Sequence, residues 1–303
     1  MQSPCTAGRP PSRPGLVGRR RWPYTREVSA RAAALALALA LSASGVRAER
    51  LLLTLDDLPL VSANYFTRAE QARQFRAILD AIEKHGARGV FFANGERIRP
   101  QDEPLLDELV RRGHLVGNHT FSHPSLNDVP VEEYQADVLQ NDRALARWIK
   151  APKYFRYTFL QTGVTRAVRD QVARFLKAEG YRAVPVTIDT DDWDFNLEYT
   201  RAVKRGATEE AAAVVRRYRD TVARNAATGR AEARGKLGRD IAHVLLLHMN
   251  LLNADALDPL LADLAAAGFS FATPEETLAD PVYALEDDYF GPQGLTWLDR
   301  VLR

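Results

Sequence analysis

One cycle repeats along most of this chain: an apolar run, a polar turn, an amphipathic helix, a glycine, and the next apolar run. The helical stretch Thr67–Lys84 sets Ala72, Phe75, Leu79 and Ile82 on one face and stops at Gly86. Leu105–Arg112 stops at Gly113, Ala167–Glu179 (Val168, Val172, Phe175) at Gly180, and Ala256–Ala267 (Leu257, Leu260, Leu261, Leu264) at Gly268. Apolar positions three and four apart define one buried helical face, and glycine just past the end permits a left-handed cap. A strand candidate follows each glycine: Gly89–Ala93, His114–Gly117, Tyr181–Ile188 and Phe269–Phe271. Strands alternating with helices imply a parallel sheet covered by helices. Six or seven such units favour a closed or nearly closed (β/α) barrel of about seven parallel strands over an open sheet.

Two segments break the rhythm. Asn196–Asp240 reads as a long helical insert, with Ala211, Val214, Val215, Tyr218 and Val222 at helical spacing. The stretch 281–303 is rich in Gly, Pro, Asp and aromatic residues and reads as a strap packed on the single domain, 49–280.

Residues 1–48 differ from the rest. An Arg- and Pro-rich stretch precedes the apolar run Ala32–Leu41 and a polar segment ending Val46-Arg47-Ala48. That order reads as a secretory signal cut after Ala48, so the domain is expected to be exported to the periplasm or the medium. The apolar run is about half of the ~20 residues a spanning helix needs, which argues against a stable membrane span. Cys5 is the only cysteine and leaves with the leader. The exported part therefore has no disulfide, thiol nucleophile or thiolate ligand.

Eight arginines against one glutamate give the leader +7, leaving −5 of the chain's +2 for the remainder. The basic stretch Arg201–Arg239 reads as a solvated helix face, and nothing here points to nucleic acid.

Polar residues gather where the apolar runs end. Asp56 and Asp57 close LLLTLDD, His119 and His123 sit in GNHTFSH, Arg156 ends KYFR, Asp192 follows VTIDTD, and His248 ends VLLLH. On parallel strands these groups share one face. One carboxylate and two imidazoles make a three-ligand metal set, with groups left over for acid and base work. Four-residue spacing would put both imidazoles on one face of a helical turn; two histidines capping a turn is the plainer alternative. Adjacent strand side chains point to opposite faces, so Asp56 and Asp57 could take different tasks, or simply cap a turn before Pro59. Singly, each group is more often structural than catalytic; their common placement is what carries weight.

Thr54–Asp57 (TLDD), His119–His123 (HTFSH), Phe155–Arg156, Asp189–Trp193 (DTDDW) and Leu245–His248 (LLLH) resemble, in order, the motifs of the polysaccharide deacetylase family, carbohydrate esterase family 4. The resemblance implies that Asp57, His119 and His123 hold a divalent metal, usually zinc-like. It makes Asp56 the general base, Arg156 its orienting partner, His248 the general acid and Asp192 the carboxylate tuning that acid. Two departures stand out. Leu58-Pro59 replace the family's glycine after the Asp pair, and Arg156-Tyr157-Thr158 lacks the proline of the family's Arg-x-Pro loop. Tyr157 and Trp193 are the aromatic candidates for contact with sugar.

The chemistry needs such parts. An acetamide is a poor electrophile and an amine a poor leaving anion, so Lewis-acid polarisation, a base and a proton donor are all required. The expectation is an exported, metal-dependent hydrolase removing acetyl groups from a glycan, N-acetyl favoured over O-acetyl. A related amidase or deformylase for a small non-sugar molecule, an iron(II) oxygenase and a non-catalytic glycan-binding relic are the competing readings. The βα rhythm argues against the oxygenase, whose sites lie on antiparallel barrels.

Overall fold

Strand β1 (Glu49–Leu58) has strand neighbours on both sides and is buried along nearly its whole length, as a parallel strand covered on both faces must be. The structure, a computed structural model, describes residues 48–61 and 63–303; all of the proposed leader but Ala48 lies outside the described residues. In chain order there follow α1 (Arg68–Lys84), β2 (Gly89–Ala93), α2 (Glu103–Arg111), β3 (Leu115–Asn118), α3 (Val131–Ala144), β4 (Lys153–Phe155) and α4 (Arg166–Ala178). Then come β5 (Tyr181–Ala183), α5 (Asp192–Lys204), α6 (Thr208–Leu237), β6 (His243–His248), α7 (Leu251–Ala266), β7 (Phe269–Phe271), α8 (Pro274–Leu278) and α9 (Trp297–Val301).

All seven strands are parallel, in the order β5-β4-β3-β2-β1-β6, with β7 paired to the first residues of β1. This is the distorted (β/α) barrel expected from the rhythm, but its sheet is not closed. The apolar run Tyr181–Ile188 is a strand only at its start. Pro185 has no N–H to give a ladder, and the run changes partner around it. Val184 N still donates to Phe155 on β4, whereas Thr187 N and Ile188 N reach Val244 on β6. One bridge, Ile188–Leu245, spans the seam.

Side-chain alternation on β1 sorts the core. Leu51, Leu53 and Leu55 pack outward with Phe75, Ile78, Leu257 and Leu261 of the helices. Leu52 packs with Val90, Phe92, Tyr154 and Val244 from neighbouring strands. Thr54 and Asp56 share the parity of Leu52, so regular alternation carries Asp56 into the barrel interior.

The insert is two helices rather than one. It starts at Asp192, four residues before the expected Asn196, and breaks at Arg205–Ala207, where Gly206 adopts φ +70°. Ala202, Val214, Tyr218 and Val222 bury its inner face. Several of its outer cations pair with carboxylates: Arg217 with Glu198, Arg219 with Asp263, Arg239 with Asp280. The tail packs Val282, Trp297 and Leu298 against Ala233 and Ile241. Among the described residues no helix is long and apolar enough to cross a membrane.

Candidate active site

Parallel register brings the ends of β1, β3, β4 and β6 to one face; Asp56 stands directly beside His248. Strict alternation would have turned Asp57 away from that face. Instead the β1–β2 register slips between Leu55 and Leu58, and Asp57 is left-handed at φ +66°. The bulge re-aims the second carboxylate toward the site, so the opposite-faces expectation for the Asp pair is corrected.

The His119–His123 segment is also not a helical turn. Thr120 (φ +66°) and His123 (φ +62°) curl a loop that sets the imidazoles edge to face, centroids 4.9 Å apart. Buried amides hold this loop. Asn94 Nδ2 donates to the carbonyls of His119 (2.6 Å) and Thr120 (3.2 Å). Asn118 Oδ1 accepts from Thr120 N (2.9 Å) and from Asn141 Nδ2 (2.8 Å). Asp137 accepts from the amides of Phe121 (2.6 Å) and Ser122 (3.1 Å) and from Ser122 Oγ (2.7 Å). Asp137 and Asn141 lie on α3, a helix the sequence reading passed over although Tyr134, Val138 and Asn141 recur at its buried spacing.

Asp137→Ala would leave the part-buried Phe121 amide without its acceptor. A stability loss of about 1–3 kcal/mol is expected, read as a lower midpoint in urea unfolding, together with weaker metal retention.

Asp57, His119 and His123 each offer one donor atom within 4.8 Å of the others. His119 Nδ1 lies 2.9 Å from the Arg156 carbonyl. A carbonyl only accepts, so that hydrogen bond places the proton on Nδ1 and leaves the Nε2 lone pair facing Asp56 and Asp57. Burial depresses both imidazoles to about 4, so both are neutral donors at neutral pH. Burial alone would raise the Asp57 carboxyl, but the histidines and Arg97 outweigh it and hold it below the usual range. His119 Nε2 to Asp56 Oδ2 is 3.7 Å and His123 Nε2 to Asp57 Oδ1 is 3.5 Å, too long for good hydrogen bonds. Asp56 Oδ1 and Asp57 Oδ1 are buried without a hydrogen-bond partner. Arg97 Nη1 does lie 2.9 Å from Asp57 Oδ1, as an ion pair that fails hydrogen-bond alignment. Neutral nitrogens and unpartnered carboxylate oxygens around one space fit a divalent ion.

Asp56 is pushed up to about 6 by burial, against the pull of Arg156. The Arg156 guanidinium is buried over the Phe92 ring (4.9 Å); its Nη1 is 3.9 Å from Asp56 Oδ2, and Nη2 donates to Thr54 Oγ1 (2.7 Å). Nε and Nη1 have no hydrogen-bond partner. A charge so poorly compensated is costly to bury, which marks the position as functional rather than stabilising.

On the far side, His248 Nδ1 donates to Asp192 Oδ1 at 2.6 Å. The second Asp192 oxygen accepts from His248 N (2.7 Å), Asn250 Nδ2 (2.9 Å) and Asn253 Nδ2 (2.6 Å). Burial works against a charged His248, yet Asp192 overrides it and holds the imidazole up to about 10. His248 is therefore a cation at neutral pH, with Nε2–H free to act.

The aromatic candidates divide. Trp193, in the first turn of α5, is more than half exposed beside Asp192. The Tyr157 ring packs edge-on against Phe155 in a core cluster with Val172 and Tyr181, which does not suit it as a sugar platform. Phe159 lies edge-on to His123 at 4.6 Å and is half exposed. Its loop, lacking the proline, is wedged by the tail: a side chain at Gly294 would strike the Phe159 carbonyl.

A parallel (β/α) barrel here gathers buried carboxylates, neutral imidazoles and a charged His–Asp pair at its strand ends, the parts that acid–base hydrolysis requires. The model of the polysaccharide deacetylase family matches residues 44–184 of the chain. The chain is 26% identical to the peptidoglycan-N-acetylglucosamine deacetylase PgdA of Listeria monocytogenes over 75% of this chain and 38% of that protein. It is 25% identical to the peptidoglycan-N-acetylmuramic acid deacetylase PdaA of Bacillus subtilis over 66% of this chain and 65% of that one. The chain thus spans about two fifths of the length of the first of these relatives. In fold it resembles BA3943, a CE4 family pseudoenzyme from Bacillus anthracis, with a TM-score of 0.51 at 18% identity, covering 76% of this chain and 66% of that one.

Proposed function

We propose that this protein is an exported, metal-dependent deacetylase that hydrolyses N-acetyl groups on a glycan. One observation carries the reading: the charged His248–Asp192 pair and the buried Asp56 flank the Asp57, His119 and His123 donors at one end of the sheet. A binding-only protein has no use for an acid and a base beside the ligands. The ion, most simply zinc, would supply Lewis-acid polarisation of the acyl carbonyl and acidify water. Asp56, its carboxyl raised by burial, takes the proton from the attacking water. The Arg156 charge, 3.9 Å from Asp56, favours the ionised form of that carboxyl. His248 Nε2 gives its proton to the leaving nitrogen, and Asp192 keeps Nδ1 occupied so that only Nε2 is offered.

The export part rests on the leader read from the sequence, and the glycan substrate on the family's relatives. The test is acetate release from N-acetylated oligosaccharides by protein purified without chelator. Chelation should abolish release and added zinc restore it. No release in any metal-loaded state would overturn the reading.

A further inference from the structure

A cleft of about 700 Å³ opens at Asp57 and runs between the loop after β1 and the segment after β2. Its charges are unequal. Arg68, Arg97 and Arg99 line it against only two carboxylates, Asp57 and Asp102. Asp102 is already held by Arg68 Nη1 at 2.7 Å and by Arg99 N at 2.9 Å. Asp57 is held by Arg97. At the cleft wall the Lys204 ammonium sits 4.5 Å over the Phe66 ring, adding another cation. The Arg99 guanidinium has no hydrogen-bond or ion-pair partner among the described residues, so the cleft keeps an unspent planar donor beside an apolar wall of Leu60 and Phe66.

We propose that this cleft binds an anionic substituent of the substrate, a carboxylate or phosphate on the acetylated sugar or its neighbour, with Arg99 as principal contact and Arg97 as support. The inference rests on the deacetylase reading only for the word substrate. A guanidinium fork matches planar oxyanions in two-point contact, and an apolar wall beside it suits a sugar face. Arg97 joins the two sites: its Nη1 faces Asp57, and the residue also lines the cleft. An anion seated there would be fixed close to the reacting acyl group.

The test is calorimetric binding to the full protein, which needs no turnover. Three ligands are compared: neutral chitotetraose, a peptide-free tetrasaccharide with carboxylated N-acetylmuramic acid at alternate positions, and N-acetylglucosamine 6-phosphate. One anionic ligand should bind at least ~10-fold tighter than the neutral one, and which of the two does so identifies the anion. The preference should narrow at about 0.5 M salt. Arg99→Ala should remove most of the preference, Arg99→Lys part of it, and Arg99→Glu should invert it. Arg97 is left intact because its loss would also disturb Asp57. Equal affinity for all three ligands, no measurable binding of either anionic ligand, or a preference that survives Arg99→Ala would overturn the proposal. Failure of the deacetylase reading looks different: charge-selective binding without acetate release sinks that reading and leaves this one standing.

Discussion

Replacing His123 with alanine is expected to remove the bound divalent ion and to lower acetate release by roughly three orders of magnitude. Two features of the site set that size. Burial holds His123 neutral, so it meets a cation as a lone-pair donor without first losing a proton. With only Asp57, His119 and His123 in the donor group, losing one leaves two protein ligands, fewer than a stable site needs. The loop itself should survive. Its amides and carbonyls are tied to Asn94, Asn118 and Asp137, none of which bonds the His123 ring. Metal analysis and thermal unfolding on the same preparation separate the outcomes. Lost metal with retained folding supports the site; a full complement of metal in the variant removes His123 from it.

The strand ends were legible because they obey period and position. Short apolar runs closed by Asp56, His119, Arg156 and His248 could lie on one face only if the runs were parallel, and they are. What the pattern could not carry was local backbone geometry. Nothing in Asp56-Asp57 signals a register slip, because the family's glycine is missing and a left-handed aspartate takes the turn. The spacing of His119 and His123 suggested a helical turn, but its two left-handed residues, Thr120 and His123, lack the usual glycine signature. The supports were hidden for another reason. Asn94, Asn141 and Asp137 act through tertiary hydrogen bonds across 16 to 48 residues of sequence, which no local period encodes. Helix α3 was still readable from Tyr134, Val138 and Asn141, and reading it would have brought Asp137 and Asn141 into view. Pro185 was the one visible sign that Tyr181–Ile188 could not be a single strand.

His248→Ala should lower hydrolysis of an N-acetyl sugar by roughly 10²–10⁴-fold while costing an aryl acetate far less. The contrast follows from the leaving group. An amine cannot depart as an anion near neutrality, so its nitrogen needs the proton that His248 Nε2 carries. A phenolate departs without one. A histidine that merely packed the site would lower both rates alike. Asp192→Asn extends the test to pH. In the wild type the Asp192 carboxylate holds His248 up to about 10, so the acid form persists across neutral and mildly alkaline pH. Removing that charge leaves burial, which favours the neutral imidazole, opposed only by the lesser pull of Asp56 and Asp57, and the pKa must fall. Activity that needs the protonated form is then lost at lower pH. The alkaline limb of the pH–rate profile should move toward neutrality for the amide substrate, with little movement for the aryl acetate. An amide profile whose alkaline limb stays in place would show that the proton comes from elsewhere. The His248–Asp192 pair would then be a structural clamp, tying α5 to the end of β6 and the start of α7 through the bonds Asp192 receives from His248 and Asn253.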